Sequence, residues 1–370
     1  MLNISFISGT RADYGKIKPY IDFLVSQKDK NVSVFVTGMN MLKKHGLTYK
    51  FIKKDLKGVC KIYIDKKFKE KNTALEVAQI IKSFDAYLKK EKIDFVFVHG
   101  DRPEVLAAAS TAVLNNIPVC HIEAGDLSGS VDESIRHATS KLSQQFLVAD
   151  EKAKSILKKM GENEKHIHIA GNSSLSFEVT EPSKKELSQL NKFKNYAILI
   201  YHPVTTLTDQ IIENELTSTL QTLQKHNKEI IIISPNNDLG SDTILKTYKK
   251  FKNHKKFHFE KSFSFSAFNY LLQHADFLIG NSSCGIKEAP YYNIPVIDIG
   301  CRQSNRYQHL KLKNFFHIDE LENLENIISK VESLKISIKK PTYKEAFFEK
   351  LKTIFTDEFF KVKTQKRFNE

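Results

Sequence analysis

The sequence predicts an α/β protein built on two doubly wound parallel sheets. Apolar strand-like runs alternate with amphipathic helical segments in both halves of the 370 residues, which indicates parallel strands joined by right-handed crossovers. Runs such as residues 95–98 contain no polar residue, as is typical of strands that are buried on both faces. The length favours two domains, because single hydrophobic cores rarely grow beyond about 250–300 residues.

The first half of the chain contains a regular succession of predicted strands and helices. The predicted strands are residues 3–8, 32–37, 95–99, 118–122, 145–149 and 167–170. The predicted helices are residues 16–26, 73–90, 103–115, 131–142 and 151–160. This order predicts one sheet with helices on both faces.

The second half resumes the same order after a polar stretch at residues 172–194, which we interpret as the linker and the entry to the second domain. The predicted strands are residues 196–201, 229–234, 257–260, 277–280 and 295–299, and the predicted helices are 208–226, 241–252, 264–274, 284–291 and 320–333. An aromatic-rich helical segment follows at 343–368. We expect an N-terminal domain at 1–175, a C-terminal domain at 176–342, and a C-terminal helix at 343–370 that packs back across the junction.

The composition argues against nucleic-acid and membrane partners. The formal net charge is +14, from 57 Lys and Arg against 43 Asp and Glu, but the lysines are dispersed over loops and polar helix faces. Dispersed charge of this kind indicates a solvated surface. No run approaches the roughly 18 apolar residues of a membrane span. The four cysteines show neither disulfide nor metal spacing, so we expect reduced thiols, no bound metal and a cytoplasmic location.

Two polar turns, far apart in the sequence, each follow an apolar strand. One occupies residues 9–16 and the other residues 280–285. A glycine and hydroxyl turn that opens a helix presents backbone N–H groups and the positive end of the helix dipole to an anion. One such turn in each half predicts a diphosphate held in a cleft between two domains, with Arg11 and Lys16 as cationic contacts.

Three carboxylates follow adjacent predicted strands of the first half, namely Asp101, Glu123 and Asp132. Open α/β sheets bind ligands outside the carboxyl ends of their strands. Carboxylates that share one crevice raise each other's pKa values, which equips one as an acid and another as a base. Asp132 and Arg136 lie four residues apart on a predicted helix and are close enough to pair. The structural alternative is that Asp101 or Asp132 caps a helix and that Arg136 makes an ordinary ion pair.

Further polar groups follow the predicted strands of the second half. They are His202, Asn237, Ser282, Ser283, Gly285, Glu288 and Arg302. His202 either donates to a phosphate oxygen or bonds a loop carbonyl. Ser282, Ser283 and Gly285 form the better anion-binding turn, and Glu288, one helical turn further on, suits ribose hydroxyls better than phosphate.

Taken in order, these segments resemble the UDP-N-acetylglucosamine 2-epimerase family, and specifically its hydrolysing branch. The motifs that carry the resemblance are GTRADYGK at 9–16, VTGM at 36–39, HGDR at 99–102, HIE at 121–123, DESIRH at 132–137, HPVTT at 202–206, PNND at 235–238, GNSSCG at 280–285 and RQSNR at 302–306. Non-hydrolysing relatives usually carry Pro-Glu in place of Ala12-Asp13 and lack a segment like 132–137, which favours the hydrolysing branch.

The resemblance implies a glycosyltransferase-B-like pair of Rossmann-like domains with the nucleotide sugar in the interdomain cleft. It implies conversion of UDP-N-acetylglucosamine and water to N-acetylmannosamine and UDP for sialic acid synthesis. The route is elimination of UDP to 2-acetamidoglucal followed by hydration, with Asp101, Glu123 and Asp132 sharing the acid–base work. Which of the three removes the C2 proton stays open. Family members are usually homo-oligomers, so we expect a homodimer or homotetramer, and they need no redox cofactor.

The same resemblance assigns roles to the remaining residues. The diphosphate is bound by Arg11, Lys16, His202, Ser282 and Ser283. Glu288 binds the ribose, Arg302 supports the cleft, and Arg136 orients Asp132 or contacts the sugar.

Two local differences keep a second substrate open. Residues 124–126 read Ala-Gly-Asp where many relatives have Gly-Gly-Glu, and residues 172–174 read Asn-Ser-Ser where many have Pro or an acidic residue. A related branch acts on a UDP- or GDP-linked 2,4-diacetamido-2,4,6-trideoxy sugar of the legionaminic acid pathway. Two other classes are a sugar transferase, which requires an acceptor, and a non-catalytic nucleotide-sugar or nucleic-acid-binding protein, for which the three carboxylates have no use.

Overall fold

The computed structural model of the chain describes residues 1–127, 131–173, 182–236, 238–304, 314–319, 321–334 and 344–366. These residues divide into two compact units. The first unit contains residues 1–127, 132–173 and 344–366, and the second contains Val131 and the described residues from 182 to 334. The domain boundaries predicted at 175/176 and 342/343 fall outside the described residues.

The first unit is built, within the described residues, on a seven-stranded parallel sheet with the order β3-β2-β1-β4-β5-β6-β7. The strands are β1 (Leu2–Ser8), β2 (Lys30–Val36), β3 (Lys61–Ile64), β4 (Phe95–His99), β5 (Val119–Ile122), β6 (Gln145–Val148) and β7 (Ile167–Ile169). The strand order reverses between β1 and β4, where Phe6 lies opposite Phe97. The carboxyl ends of β1, β4 and β5 are therefore neighbours at the position where such sheets bind ligands.

The helices of the first unit alternate with these strands. They are α1 (Arg11–Val25), α2 (Tyr49–Asp55), α3 (Thr73–Glu91), α4 (Pro103–Leu114), α5 (Val131–Leu142) and α6 (Glu151–Lys159). Helix α1 begins at Arg11, five residues before the predicted start. Thr10 Oγ1 accepts a bond from the N–H of Asp13, and the Asp13 carboxylate accepts one from the N–H of Thr10, so a capping box fixes the first turn.

The second unit has a parallel sheet of six strands within the described residues, in the order β10-β9-β8-β11-β12-β13. The strands are β8 (Tyr196–Ile200), β9 (Glu229–Ile233), β10 (Phe257–Glu260), β11 (Leu278–Gly280), β12 (Val296–Ile299) and β13 (Phe315–Ile318). The helices are α7 (Lys184–Leu190), α8 (Asp209–Lys225), α9 (Ser241–Lys250), α10 (Phe265–His274), α11 (Cys284–Lys287) and α12 (Leu324–Glu332). Here the order reverses between β8 and β11, so the loops that follow these strands are neighbours.

The C-terminal helices α13 (Lys344–Ile354) and α14 (Asp357–Phe360) pack against the sheet of the first unit. Phe359 stacks on Phe97 with 6.3 Å between ring centroids, and Phe355 meets the same ring edge-on at 5.7 Å. Aromatic burial of this kind is worth about 1.5–3 kcal/mol per side chain. The segment predicted as one helix at 343–368 is thus two helices, attached to the hydrophobic core of the first unit.

The strand–helix alternation predicted from sequence is present in both units. The short helices α2 and α7 were not predicted, and α7 lies within the stretch interpreted as a linker. The other differences lie at sheet edges and at the ends of elements. Strands β3 and β13, at sheet edges, were not predicted, because each has four residues and is only partly buried. Helix α11 ends at Lys287 and is followed by a 3₁₀ turn over Ala289–Tyr292 instead of continuing to 291. Pro290 has no N–H to donate to the preceding turn, which explains this ending.

Candidate active site

The loop after β1 forms hydrogen bonds to the carboxylate of Asp13, which follows it in the first turn of α1. Asp13 accepts hydrogen bonds from the N–H of Gly9 at 2.9 Å, the N–H of Thr10 at 3.0 Å and the hydroxyl of Ser8 at 3.1 Å. Burial nevertheless raises the pKa of Asp13, because desolvation outweighs these bonds. The expectation that this loop presents free backbone N–H groups to an anion is therefore wrong for Gly9 and Thr10, whose N–H groups bind Asp13.

The two cations expected beside this loop occupy different positions. The guanidinium of Arg11 lies over the ring of Phe51, 4.8 Å from its centroid. Lys16, on the second turn of α1, extends its Nζ to 3.3 Å from both carboxylate oxygens of Glu123. Lys16 therefore lies beside one of the expected acid–base groups.

Glu123 follows β5 in a conformation that side chains rarely adopt. Its φ is +58°, in the left-handed region, which costs a non-glycine residue about 1–2 kcal/mol. Its N–H donates to the Leu147 carbonyl at 2.8 Å, and its carboxylate faces Lys16 and lies 3.5 Å from Nε2 of His99. The backbone thus directs a buried carboxylate toward two nitrogen groups, an arrangement typical of functional sites.

Asp101 forms an ion pair with Arg136. Arg136 is 1% exposed and also donates through Nη1 to the carbonyl of Asp126 at 3.0 Å. Asp132 lies one turn before Arg136 on the same face of α5, half-buried. The structure therefore joins Asp101 to α5 through Arg136, a pairing that the spacing of Asp132 and Arg136 alone did not predict.

Two further buried side chains at this edge were not proposed as site residues from the sequence. His99 ends β4 next to Glu123, and Glu104, in the first turn of α4, lies against the glycines of two loops. A Cβ atom at Gly9 would lie 2.8 Å from Glu104 Cγ, and one at Gly38 would lie 2.5 Å from its Oε1. The HGDR motif was the sequence signal for His99, while Glu104 had none beyond its place after a strand.

In the second unit, Asn281 fastens the loop after β11 to the loop after β8. Its Oδ1 accepts from the N–H of His202 at 2.7 Å, and its Nδ2 donates to the His202 carbonyl at 2.8 Å. His202 Nδ1 in turn accepts from the N–H of Asn236 at 3.1 Å, so a neutral ring carries its proton on Nε2. The structure thus brings His202 together with the expected anion-binding turn.

That turn depends on close backbone approach. Gly280 has φ +125°, and a Cβ there would lie 2.0 Å from the Ile200 carbonyl oxygen. At Gly285 a Cβ would lie 2.8 Å from a Val296 methyl group, so a side chain would clash there too. Ser282 Oγ accepts from Cys284 Sγ at 3.2 Å. Ser282 and Ser283 are both partly exposed.

Arg302 and Glu288 complete this group. Arg302 Nη1 donates to the Asn281 carbonyl at 3.2 Å, as does Gln303 Nε2 at 2.8 Å, so Arg302 braces the turn. Glu288 follows α11 and is 6% exposed, and its Oε2 has no hydrogen-bond partner among the described residues. A buried carboxylate oxygen without a donor is costly, so this oxygen has capacity to accept a further hydrogen bond. Asn237 lies outside the described residues.

Comparison with known proteins identifies the family. The chain matches the family model for UDP-N-acetylglucosamine 2-epimerase over residues 24–351. It is 40% identical over 340 residues to the UDP-N-acetylglucosamine 2-epimerase of Neisseria meningitidis serogroup B, covering 90% of this chain and 88% of that one. The chain belongs to the UDP-N-acetylglucosamine 2-epimerase family. It is also 34% identical over 310 residues to the UDP-N,N'-diacetylbacillosamine 2-epimerase (hydrolyzing) of Legionella pneumophila, covering 82% of each chain.

Solved structures agree with membership of the UDP-N-acetylglucosamine 2-epimerase family at the level of fold. A UDP-GlcNAc 2-epimerase from Neisseria meningitidis bound to UDP-GlcNAc superposes with a TM-score of 0.80 at 20% identity, covering 95% of this chain and 99% of that one. This confirms the predicted fold class of two Rossmann-like domains of the glycosyltransferase-B type. Within the described residues of this family member, no cluster of three or more His, Cys, Asp or Glu side chains could hold a metal ion. No described helix is long and apolar enough to cross a membrane.

Proposed function

We propose that this 2-epimerase is hydrolysing and converts UDP-N-acetylglucosamine and water to N-acetylmannosamine and UDP, for sialic acid synthesis. The observation that carries the proposal is the pair of buried acid–cation contacts at the carboxyl edge of the first sheet, Glu123 with Lys16 and Asp101 with Arg136. The 40% identical Neisseria relative supports the choice of UDP-N-acetylglucosamine.

The reaction has two steps whose atoms balance. First, a carboxylate removes the proton from C2 while the C1–O bond to UDP breaks, which gives 2-acetamidoglucal and UDP. Water then adds across the double bond, with its hydroxyl on C1 and a proton delivered to C2 from the opposite face. Each step moves one proton to or from carbon, so the site needs an acid and a base on the two faces of the ring.

The residues of the first unit suit this proton transfer. We assign it to Asp101, Glu123 and Asp132 together. Arg136 holds Asp101 in place. Lys16 lies against Glu123 and gives its carboxylate a cationic partner.

The residues of the second unit suit nucleotide binding. Ser282, Ser283 and Gly285 form the diphosphate-binding turn, and His202 donates to phosphate through Nε2–H. Arg11 and Lys16 of the first unit are the expected cationic contacts. Glu288 accepts ribose hydroxyls with Oε2, which has no hydrogen-bond partner in the part of the chain that the structure describes, while Arg302 holds the turn through Asn281.

The test uses UDP-N-acetylglucosamine alone in deuterated water, followed by proton NMR. We expect UDP and N-acetylmannosamine in equal amounts, with deuterium at C2 of the product. Asp101→Asn, Glu123→Gln and Asp132→Asn should each reduce kcat by about 100-fold or more, as loss of a general acid or base does, while UDP affinity survives. Glu349→Gln, at an exposed position, is the control. Retention of hydrogen at C2, or a requirement for an acceptor, would contradict the proposal.

A second candidate is the same reaction on a UDP- or GDP-linked 2,4-diacetamido-2,4,6-trideoxy sugar. The Legionella relative, named for a diacetylbacillosamine substrate, favours it. Competition between the two nucleotide sugars in one tube decides between them, because the substrate with the larger kcat/KM is consumed first.

A further inference from the structure

A buried histidine bonds two elements that carry the proposed acid–base groups. His121 lies on β5, two residues before Glu123, and is fully buried. Its Nε2 lies 2.7 Å from the Gly100 carbonyl oxygen and its Nδ1 lies 2.9 Å from the Ser140 hydroxyl. A carbonyl can only accept, so Nε2 carries the proton and Nδ1 accepts from Ser140.

The two partners of His121 are next to the other two carboxylates. Gly100 immediately precedes Asp101, and its own N–H donates to the Ile122 carbonyl at 3.0 Å, so β5 holds both polar groups of the Gly100 backbone. Ser140 lies on α5 at four- and eight-residue spacing from Arg136 and Asp132, so the three residues share one helix face. The imidazole therefore joins β5, the Asp101 loop and α5.

The ion pair of Arg136 with Asp101 connects the same loop to the same helix, one turn away. An ion pair tolerates changes in distance and angle more readily than a short, linear hydrogen bond does. The bonds of His121 add to this contact, because they hold the Gly100 carbonyl and the Ser140 side of α5 directly against β5.

We infer that His121 is a positioning residue, which holds Asp101 and Asp132 in place relative to Glu123 through Gly100 and Ser140. The inference rests on the proposed function for the roles of these carboxylates. A neutral ring is required, because an imidazolium has no lone pair to accept the Ser140 hydroxyl. Burial lowers the pKa of His121 to about 4; the bond to the Gly100 carbonyl and the charge of Glu123 act against burial, and His99 and His137 act with it.

A matched pair of variants separates the two bonds. His121→Gln places an amide N–H near the position of Nε2 and retains the donor to Gly100. His121→Asn places an oxygen near the position of Nδ1 and retains only the acceptor for Ser140. We expect kcat of H121N to fall about 100-fold, a loss of the size that an ångström-scale misplacement can cause, with UDP affinity within about twofold of the wild type. The kcat of H121Q should be about 10-fold higher than that of H121N.

Equal kcat values for H121N and H121Q, or a loss of UDP affinity that matches the loss of kcat, would overturn the inference. If H121N does not fold, Ser140→Ala is tested in its place. We expect kcat of S140A to fall about 10-fold and its UDP affinity to be unchanged. An unchanged kcat would overturn the role of Ser140.

A second measurement does not need turnover. Nitrogen-15 NMR of the full chain, with H121Q to assign the signal, should show the Nε2–H tautomer of His121 and no protonation from pH 8 to about pH 5.5. The Nδ1–H tautomer, or titration near pH 6.5, would overturn the inference. An enzyme inactive on both nucleotide sugars but with the expected tautomer refutes the proposed function and leaves the bonding of His121 intact.

Discussion

Replacement of Arg136 by methionine should destabilise the first unit more than any change at an exposed charge. The substitution removes a 1% exposed guanidinium that pairs with the Asp101 carboxylate and donates to the Asp126 carbonyl. Removal of one partner of a buried ion pair typically costs about 3–5 kcal/mol. The Asp101 side chain keeps 20% exposure and regains some water, so we expect about 2–3 kcal/mol.

For a unit of this size that free energy corresponds to a drop in melting temperature of roughly 5–10 °C. Scanning calorimetry of the full chain measures it. The matched control is Lys352→Met, which breaks the exposed pair of Lys352 with Glu349 and should cost less than about 1 kcal/mol. Adding Asp101→Asn to R136M should restore part of the loss, because an amide does not need the cation. A melting temperature for R136M within about 1 °C of that of K352M would refute the argument, since a difference so small corresponds to well under the expected free energy.

Two further predictions follow from a close contact and from a lowered pKa. Gly280→Ala should lower the free energy of unfolding by about 3–6 kcal/mol, because φ is +125° and the added Cβ would lie 2.0 Å from the Ile200 oxygen. In denaturant titrations the control Gly58→Ala, at a position with a positive φ but no atom within 4 Å, should lose only about 1–2 kcal/mol. Equal losses for the two variants would contradict the contact argument. Because the pKa of His121 falls from 6.5 to about 4 on folding, the unfolded chain binds a proton that the folded protein excludes, so acidification from pH 6.5 to 4 should remove about 3 kcal/mol of stability. H121Q should show a shallower dependence on pH by about one proton in denaturant titrations, and identical slopes would show that His121 does not titrate in this way.

The parts of the fold that could be predicted are those whose signal is local. Strand β4 and helix α5 have the predicted bounds, because a fully apolar run and an amphipathic period each identify themselves within a few residues. The edge strands β3 and β13 could not be recognised in this way. A half-buried strand of four residues has the same pattern as a loop until its neighbour in the sheet is known.

The site shows the same division between local and long-range signals. The carboxylates at strand ends follow from the strand pattern, whereas their partners do not. Ser140 and His121 are 19 residues apart in the sequence, and Lys16 and Glu123 are 107 residues apart. Over such separations the spacing of residues carries no information about which side chains meet. The hydrogen bonds of Asp13 could have been predicted from the sequence, because a hydroxyl at Thr10 followed three residues later by an acid is the pattern of a capping box.

The contact of Lys16 with Glu123 changes how the work is divided among the residues of the site. The sequence placed Lys16 with the diphosphate and Glu123 with the sugar, as separate groups. In the structure the Lys16 ammonium lies 3.3 Å from both carboxylate oxygens of Glu123, and both side chains are largely buried. A cation that also contacts a departing diphosphate would weaken its hold on Glu123 as negative charge grows on the phosphate. The Glu123 carboxylate would then lose its cationic partner during elimination, at the moment when a base is needed. Lys16→Met should therefore alter both UDP affinity and the pH dependence of kcat, whereas a residue that binds only phosphate would alter the first alone.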